Sequence, residues 1–82
     1  MSDTALIKRR RHTANILEYT RELASKRMNS KAYEMLTTVY NNYHTWDTAK
    51  QNRWIGYAQC LLVAEGAITL DELRTEIEGI IQ

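Results

Sequence analysis

A chain of 82 residues with 44% hydrophobic and 26% charged side chains has room for one soluble globular domain and one modest core. A domain this small hides only roughly 60% of its unfolded surface, so it gains from a partner or from self-association, and a homo-oligomer is expected. The absence of proline and the presence of only three glycines favour helices over sheets, linkers or low-complexity segments.

The single cysteine, Cys60, excludes an internal disulfide and reads as a small buried hydrophobe. The start of the chain lacks the apolar core of a signal peptide, and the longest apolar run falls well short of the ~20 residues that span a bilayer. A cytoplasmic protein with no membrane span is therefore expected. Net charge is +1, but it is unevenly distributed. Residues 1–31 carry eight basic against three acidic side chains, and the remainder carries three against seven. Such a dipolar chain suits an acidic partner or head-to-tail stacking.

Four helices are expected, in an all-α compact bundle. The first covers residues 4–27, with Leu6, Thr13, Leu17, Thr20 and Ala24 on one face, flanked by Ile16 and Leu23. Its stripe is thin before residue 13, so the turns around Lys8 to Arg11 are expected to project past the core. Glu18 with Arg21, and Glu22 with Lys26, form supporting pairs along it. After a break at Arg27-Met28-Asn29-Ser30, capped by Asn29 or Ser30, the second helix runs from about Lys31 to Tyr43. Ala32, Leu36, Val39, Tyr40 and Tyr43 form its inward stripe, with Tyr33 and Met35 on the flanks.

The third helix is expected over about 47–65, with Thr48 and Gln51 as a capping box and Asp47 at the positive end of its dipole. Its stretch Trp54–Ala64 contains one polar side chain, Gln59, and reads as apolar all round. That pattern makes it the central, most buried helix. Gly66 is placed to end it. The last helix starts at the capping box Thr69-Leu70-Asp71-Glu72, with Ile68 and Leu73 as a hydrophobic staple, and is expected to fray at Gly79.

Catalysis finds little support, and no enzyme activity, cofactor or metal is expected. His44 and Asp47 have ligand spacing but no third ligand nearby, and His12 sits among basic residues as a solvated side chain. Glu72 and Glu76 could do acid–base work, but read more simply as a solvated face early in a helix. Two features point to binding instead. Lys8, Arg9, Arg10 and Arg11 could contact phosphates, but no stacking aromatic is interleaved with them. The same cluster would attract anionic lipid, though the apolar face beside it is too weak for insertion. The large rings are the other feature, concentrated between residues 33 and 57. Trp54 and Tyr57 read as core. Tyr33 lies off the stripe and Trp46 falls at a helix junction, so both are candidates for a protein contact. The partner-binding candidates are thus Lys8, Arg9, Arg10, Arg11, Tyr33 and Trp46.

The segment from His44-Thr45-Trp46-Asp47 through Arg53-Trp54-Ile55-Gly56-Tyr57-Ala58-Gln59, followed by Thr69-Leu70-Asp71-Glu72-Leu73, resembles small proteins of tailed bacteriophages. In length and in lacking a membrane segment, the chain is also similar to the cytoplasmic antiholins of T-even phages. The resemblance implies a lysis-inhibition protein that binds the cytoplasmic segment of a holin, and it assigns no contact residue. Two other readings stand beside it: a nucleic-acid-binding or transcription-modulating protein using the basic first helix, and an inhibitor of a host enzyme or defence system.

Overall fold

The computed structural model describes residues 2–81, and of residues 2, 3 and 6 the backbone alone. Among the described residues there are four α-helices and no strand: α1 (Ser2–Lys26), α2 (Ser30–Asn41), α3 (Thr48–Ala64) and α4 (Leu70–Ile81). The long axis of the molecule is 40 Å, close to the ~37 Å expected of the 25-residue α1 alone. α1 packs against the other three helices, and α2 packs against α3.

The inward face of α1 is the expected one: Thr13, Leu17, Thr20 and Ala24 are buried. Leu6, expected on the same stripe, lies outside the described side chains. From α2 the core takes Ala32, Leu36 and Val39, and from α3 it takes Ile55, Ala58 and Leu62. Truncating fully buried Leu36 or Leu62 to alanine is expected to cost about 2–5 kcal/mol.

Two polar contacts fix how α1 and α3 lie. Thr13 Oγ1 lies 3.3 Å from Asn52 Oδ1, and Gln59 Nε2 donates to Thr20 Oγ1 at 3.4 Å. Both pairs are separated by 39 residues, so α1 and α3 run parallel in one register. α2 runs against them. Asn29 at its start donates to Glu65 Oε2 at the end of α3 (2.8 Å), and Tyr43 just past its end donates to the Arg10 carbonyl of α1 (2.7 Å).

Local chemistry explains the helix ends. α1 ends with the N–H of Asn29 on the Ala24 carbonyl and that of Met28 on Ser25, with Met28 itself left-handed at φ 56°. α3 ends the same way, Ala67 on Leu62 and Gly66 on Val63, with Gly66 at φ 77° as expected. Asn29 caps α2, accepting from the N–H of Ala32. The Thr69–Glu72 capping box forms in both directions, and Leu73 behind it is buried.

Four expectations are corrected. Asp47, and not Thr48, caps α3, accepting from the N–H of Lys50 at 2.8 Å. Gln51 is thereby freed to turn inward, where it is 3% exposed and donates to the carbonyls of Tyr43 (2.6 Å) and Trp46 (3.0 Å). α4 does not fray at Gly79 but continues to Ile81, keeping Ile77 and Ile80 half-buried. Tyr40, expected inward on α2, is 58% exposed. Finally, α3 is not buried all round: Tyr57 is 59% exposed, and Cys60 and Ala64 are exposed too. Each core helix here meets only part of a ring of neighbours, so only the Gln51–Ile55–Ala58–Leu62 stripe of α3 is covered.

Candidate functional site

On the surface between α1 and α2 lies a groove of about 760 Å³, lined by Glu18, Arg21 and Glu22 from α1 and by Tyr33, Tyr40 and Tyr43 from α2 and the turn after it. Tyr33 and Tyr40 are seven residues apart, about two helical turns, so both rings rise from one edge of α2. Arg21 rises from the facing edge of α1. Its spacing suggests a pair with Glu18 along the helix, but the guanidinium reaches across to α2. Its central carbon lies 4.4 Å from the Tyr40 ring centroid and 5.4 Å from that of Tyr33.

Nη2 of Arg21 also approaches the Tyr33 hydroxyl at 3.4 Å, while its Nε is buried with no hydrogen-bond partner. A planar guanidinium suits this position because it stacks on ring faces while its N–H groups point outward in its own plane. The result is a cation held between two rings that are 38% and 58% exposed, with donor capacity to spare. At one end of the groove Tyr43 is anchored to α1 through the Arg10 carbonyl, and His44 packs edge-on against it at 5.8 Å. Burial raises the Tyr43 phenol above its ordinary value of 10, and the nearby Arg10 partly opposes that shift. Across α1, Tyr19 is raised as well, first by burial and then by the carboxylates of Glu76 and Glu72.

The six side chains singled out in the sequence do not share one surface. Lys8, Arg9, Arg10 and Arg11 are all exposed on the first turns of α1, ahead of Thr13, the first buried side chain among those described. Tyr33 lies toward the other end of α1, beside Arg21. Trp46 is half-buried against the core, 4.9 Å from the Trp54 ring, with the Lys50 ammonium 4.2 Å from its centroid. It closes the α2–α3 connection. Sequence reasoning missed Arg21, assigned to an ion pair, and Tyr40, assigned to the core. The signal was the Tyr33/Tyr40 spacing opposite an arginine.

Among the described residues, no group of three or more His, Cys, Asp or Glu side chains is placed to hold a metal ion. Nor is any helix among them long and apolar enough to cross a membrane. No protein-family model matches the chain, and neither a curated protein nor a solved structure matches it.

Proposed function

We propose that this chain is a non-enzymatic binding protein that engages another protein through the α1/α2 groove. The observation that carries the reading is Arg21 stacked between two exposed tyrosines. Tyrosine and arginine are the residue types that dominate interface energetics, and a guanidinium already held in place loses less freedom on binding. The free N–H edge of Arg21 suits a carboxylate or carbonyl of the partner, and the rings suit an apolar or aromatic side chain.

The finer form of the proposal is a cytoplasmic antiholin, with the holin's cytoplasmic segment as partner. It rests on the sequence resemblance. The residues that carry that resemblance have internal roles: Trp54 against Trp46, Gln59 on Thr20, and Thr69 capping α4. The groove is therefore the better candidate for the contact. A pull-down of the purified holin segment on the immobilised full chain tests this. Capture by the parent and loss with Arg21→Ala supports the proposal. No capture by the folded parent rejects the antiholin, and undiminished capture by Arg21→Ala rejects the groove.

One observation favours a second reading, nucleic-acid binding: all four of Lys8–Arg11 stand exposed at a helix end clear of the core. Four phosphate contacts on duplex DNA would give a slope of about −3.6 in log affinity against log salt. A gel shift with Arg9, Arg10 and Arg11 changed to alanine tests it, and absence of binding by the parent removes it.

A further inference from the structure

The core of the molecule is built without α4. Among the described residues, the buried cluster at the centre takes its side chains from α1, α2 and α3, and none comes from α4. Leu73 is the one buried side chain of α4, which packs on α1. Ile77 and Ile80 are half-buried, while Leu70 and Ile81 are 68% and 43% exposed. Polar contacts follow the same division. Thr13 with Asn52, Gln59 with Thr20, Asn29 with Glu65 and Tyr43 with Arg10 tie the first three helices together. Among the described residues, the side-chain hydrogen bonds of α4 all stay between Thr69 and Thr75. The seam itself is open: a gap of about 310 Å³ has Tyr19 of α1 on one side and Glu72, Thr75 and Glu76 of α4 on the other. The connection supplies a pivot. Gly66 turns the chain at φ 77°, Ala67 and Ile68 stay packed on the core, and α4 then starts on its own Thr69–Glu72 box, which takes nothing from α1.

We infer that α4 is a hinged arm: it undocks from α1 as a unit, pivoting beyond Ile68, while α1, α2 and α3 stay folded. Sub-global opening of this kind belongs to elements with few buried apolar contacts, and here its cost is confined to one seam. A 12-residue helix released into water is too short to keep its own hydrogen bonds, so its amides exchange with solvent once it leaves α1. Opening bares Tyr19 of α1 together with Leu73, Ile77 and Ile80 of α4. The α1/α2 groove shares no lining residue with the seam, so the arm moves without rebuilding the groove. The inference is independent of the groove and of any partner bound there.

Amide hydrogen exchange of the full chain, read residue by residue under conditions where rates report opening equilibria, tests it. The protected amides of α4 are expected to share one opening equilibrium and to exchange about 100-fold or more faster than those of Leu36, Val39, Ile55 and Leu62. Ile55→Val raises the core alone, so it is expected to speed core exchange by about two- to tenfold and leave α4 rates unchanged, because the core is intact when the arm is open. Leu73→Asp is expected to abolish protection throughout α4 while the core amides stay protected and the fluorescence of Trp46 and Trp54 stays native. Parent α4 amides as slow as the core overturn the inference, as do rates graded inward from Ile81, which would mean end-fraying. Equal acceleration of α4 and core by Ile55→Val, or unfolding of α1–α3 by Leu73→Asp, overturns it too, since either would make the four helices one cooperative unit.

Discussion

Gln51 is a polar side chain buried in the most apolar helix, and its replacement tests how the α2–α3 connection is held. Its amide nitrogen donates to two carbonyls of that connection, Tyr43 and Trp46, while its amide oxygen is buried without a partner. Gln51→Met keeps the volume and removes both bonds. At about 1 kcal/mol net per bond, the loss is ~2 kcal/mol. Relief of the orphaned oxygen returns part of this, and the two stranded carbonyls add to it. For a domain of this size, ~2 kcal/mol lowers the melting temperature by about 8–16 °C.

Gln51→Glu should be worse near neutral pH, because a carboxylate there would face two carbonyl oxygens and has no proton to donate. Burial would raise its folded pKa above the unfolded value. Stability relative to the parent should therefore recover below the unfolded carboxyl pKa and fall away as pH rises through the folded one. Thermal melts by circular dichroism across acid to neutral pH measure both effects. A Gln51→Met variant as stable as the parent, or a Gln51→Glu variant with no recovery in acid, would refute this account of the connection.

Other substitutions probe the ends of the helices and the groove. Asp is as good a helix cap as Asn, yet Asn29→Asp should destabilise the chain by about 1–3 kcal/mol, because it turns the donor to Glu65 into a second carboxylate. Glu65→Gln should restore most of the loss, and denaturant melts of the single and double variants measure the coupling. Met28 is 89% exposed and left-handed, so Met28→Gly should stabilise by roughly 1 kcal/mol by relieving backbone strain. An unchanged or lower denaturation midpoint would count against that. With its phenol raised, Tyr43 stabilises the fold fully below pH 10 and loses that contribution as pH climbs through its folded value, where the bond to the Arg10 carbonyl is also lost. In an alkaline titration followed by phenolate absorbance, Tyr43→Phe should remove a late-titrating component.

Most of the architecture is legible in the sequence because local chemistry and periodicity agree. The Thr69–Glu72 box, Gly66 and the 13/17/20/24 stripe each specify their element without help from the rest of the chain. The errors arise where tertiary neighbours decide. Asp47 and Thr48 are both good caps one residue apart, and the choice between them depends on Gln51 being needed inside. Gly79 looks like a stop, but the half-buried Ile80 beyond it favours another turn. The apolar run Trp54–Ala64 looks like a helix wrapped on every side, yet a four-helix molecule this small has too few elements to wrap it. The same shortage leaves Tyr40 outside, where Arg21 finds it. A cation between two rings contributed by different helices has no one-dimensional signature, so the groove became visible only when α1 and α2 were set side by side.

The central claim is that a protein partner contacts the α1/α2 groove. Chemical-shift mapping tests it most directly: the isotope-labelled full chain is titrated with a holin cytoplasmic segment, the partner proposed above. Shifts confined to Ala14–Ser25, Tyr33, Tyr40 and the Arg21 side-chain N–H are the expected result. Shifts centred on Lys8–Arg11 or on α4 would contradict it, and no shifts at all from a folded segment would reject the holin as the partner.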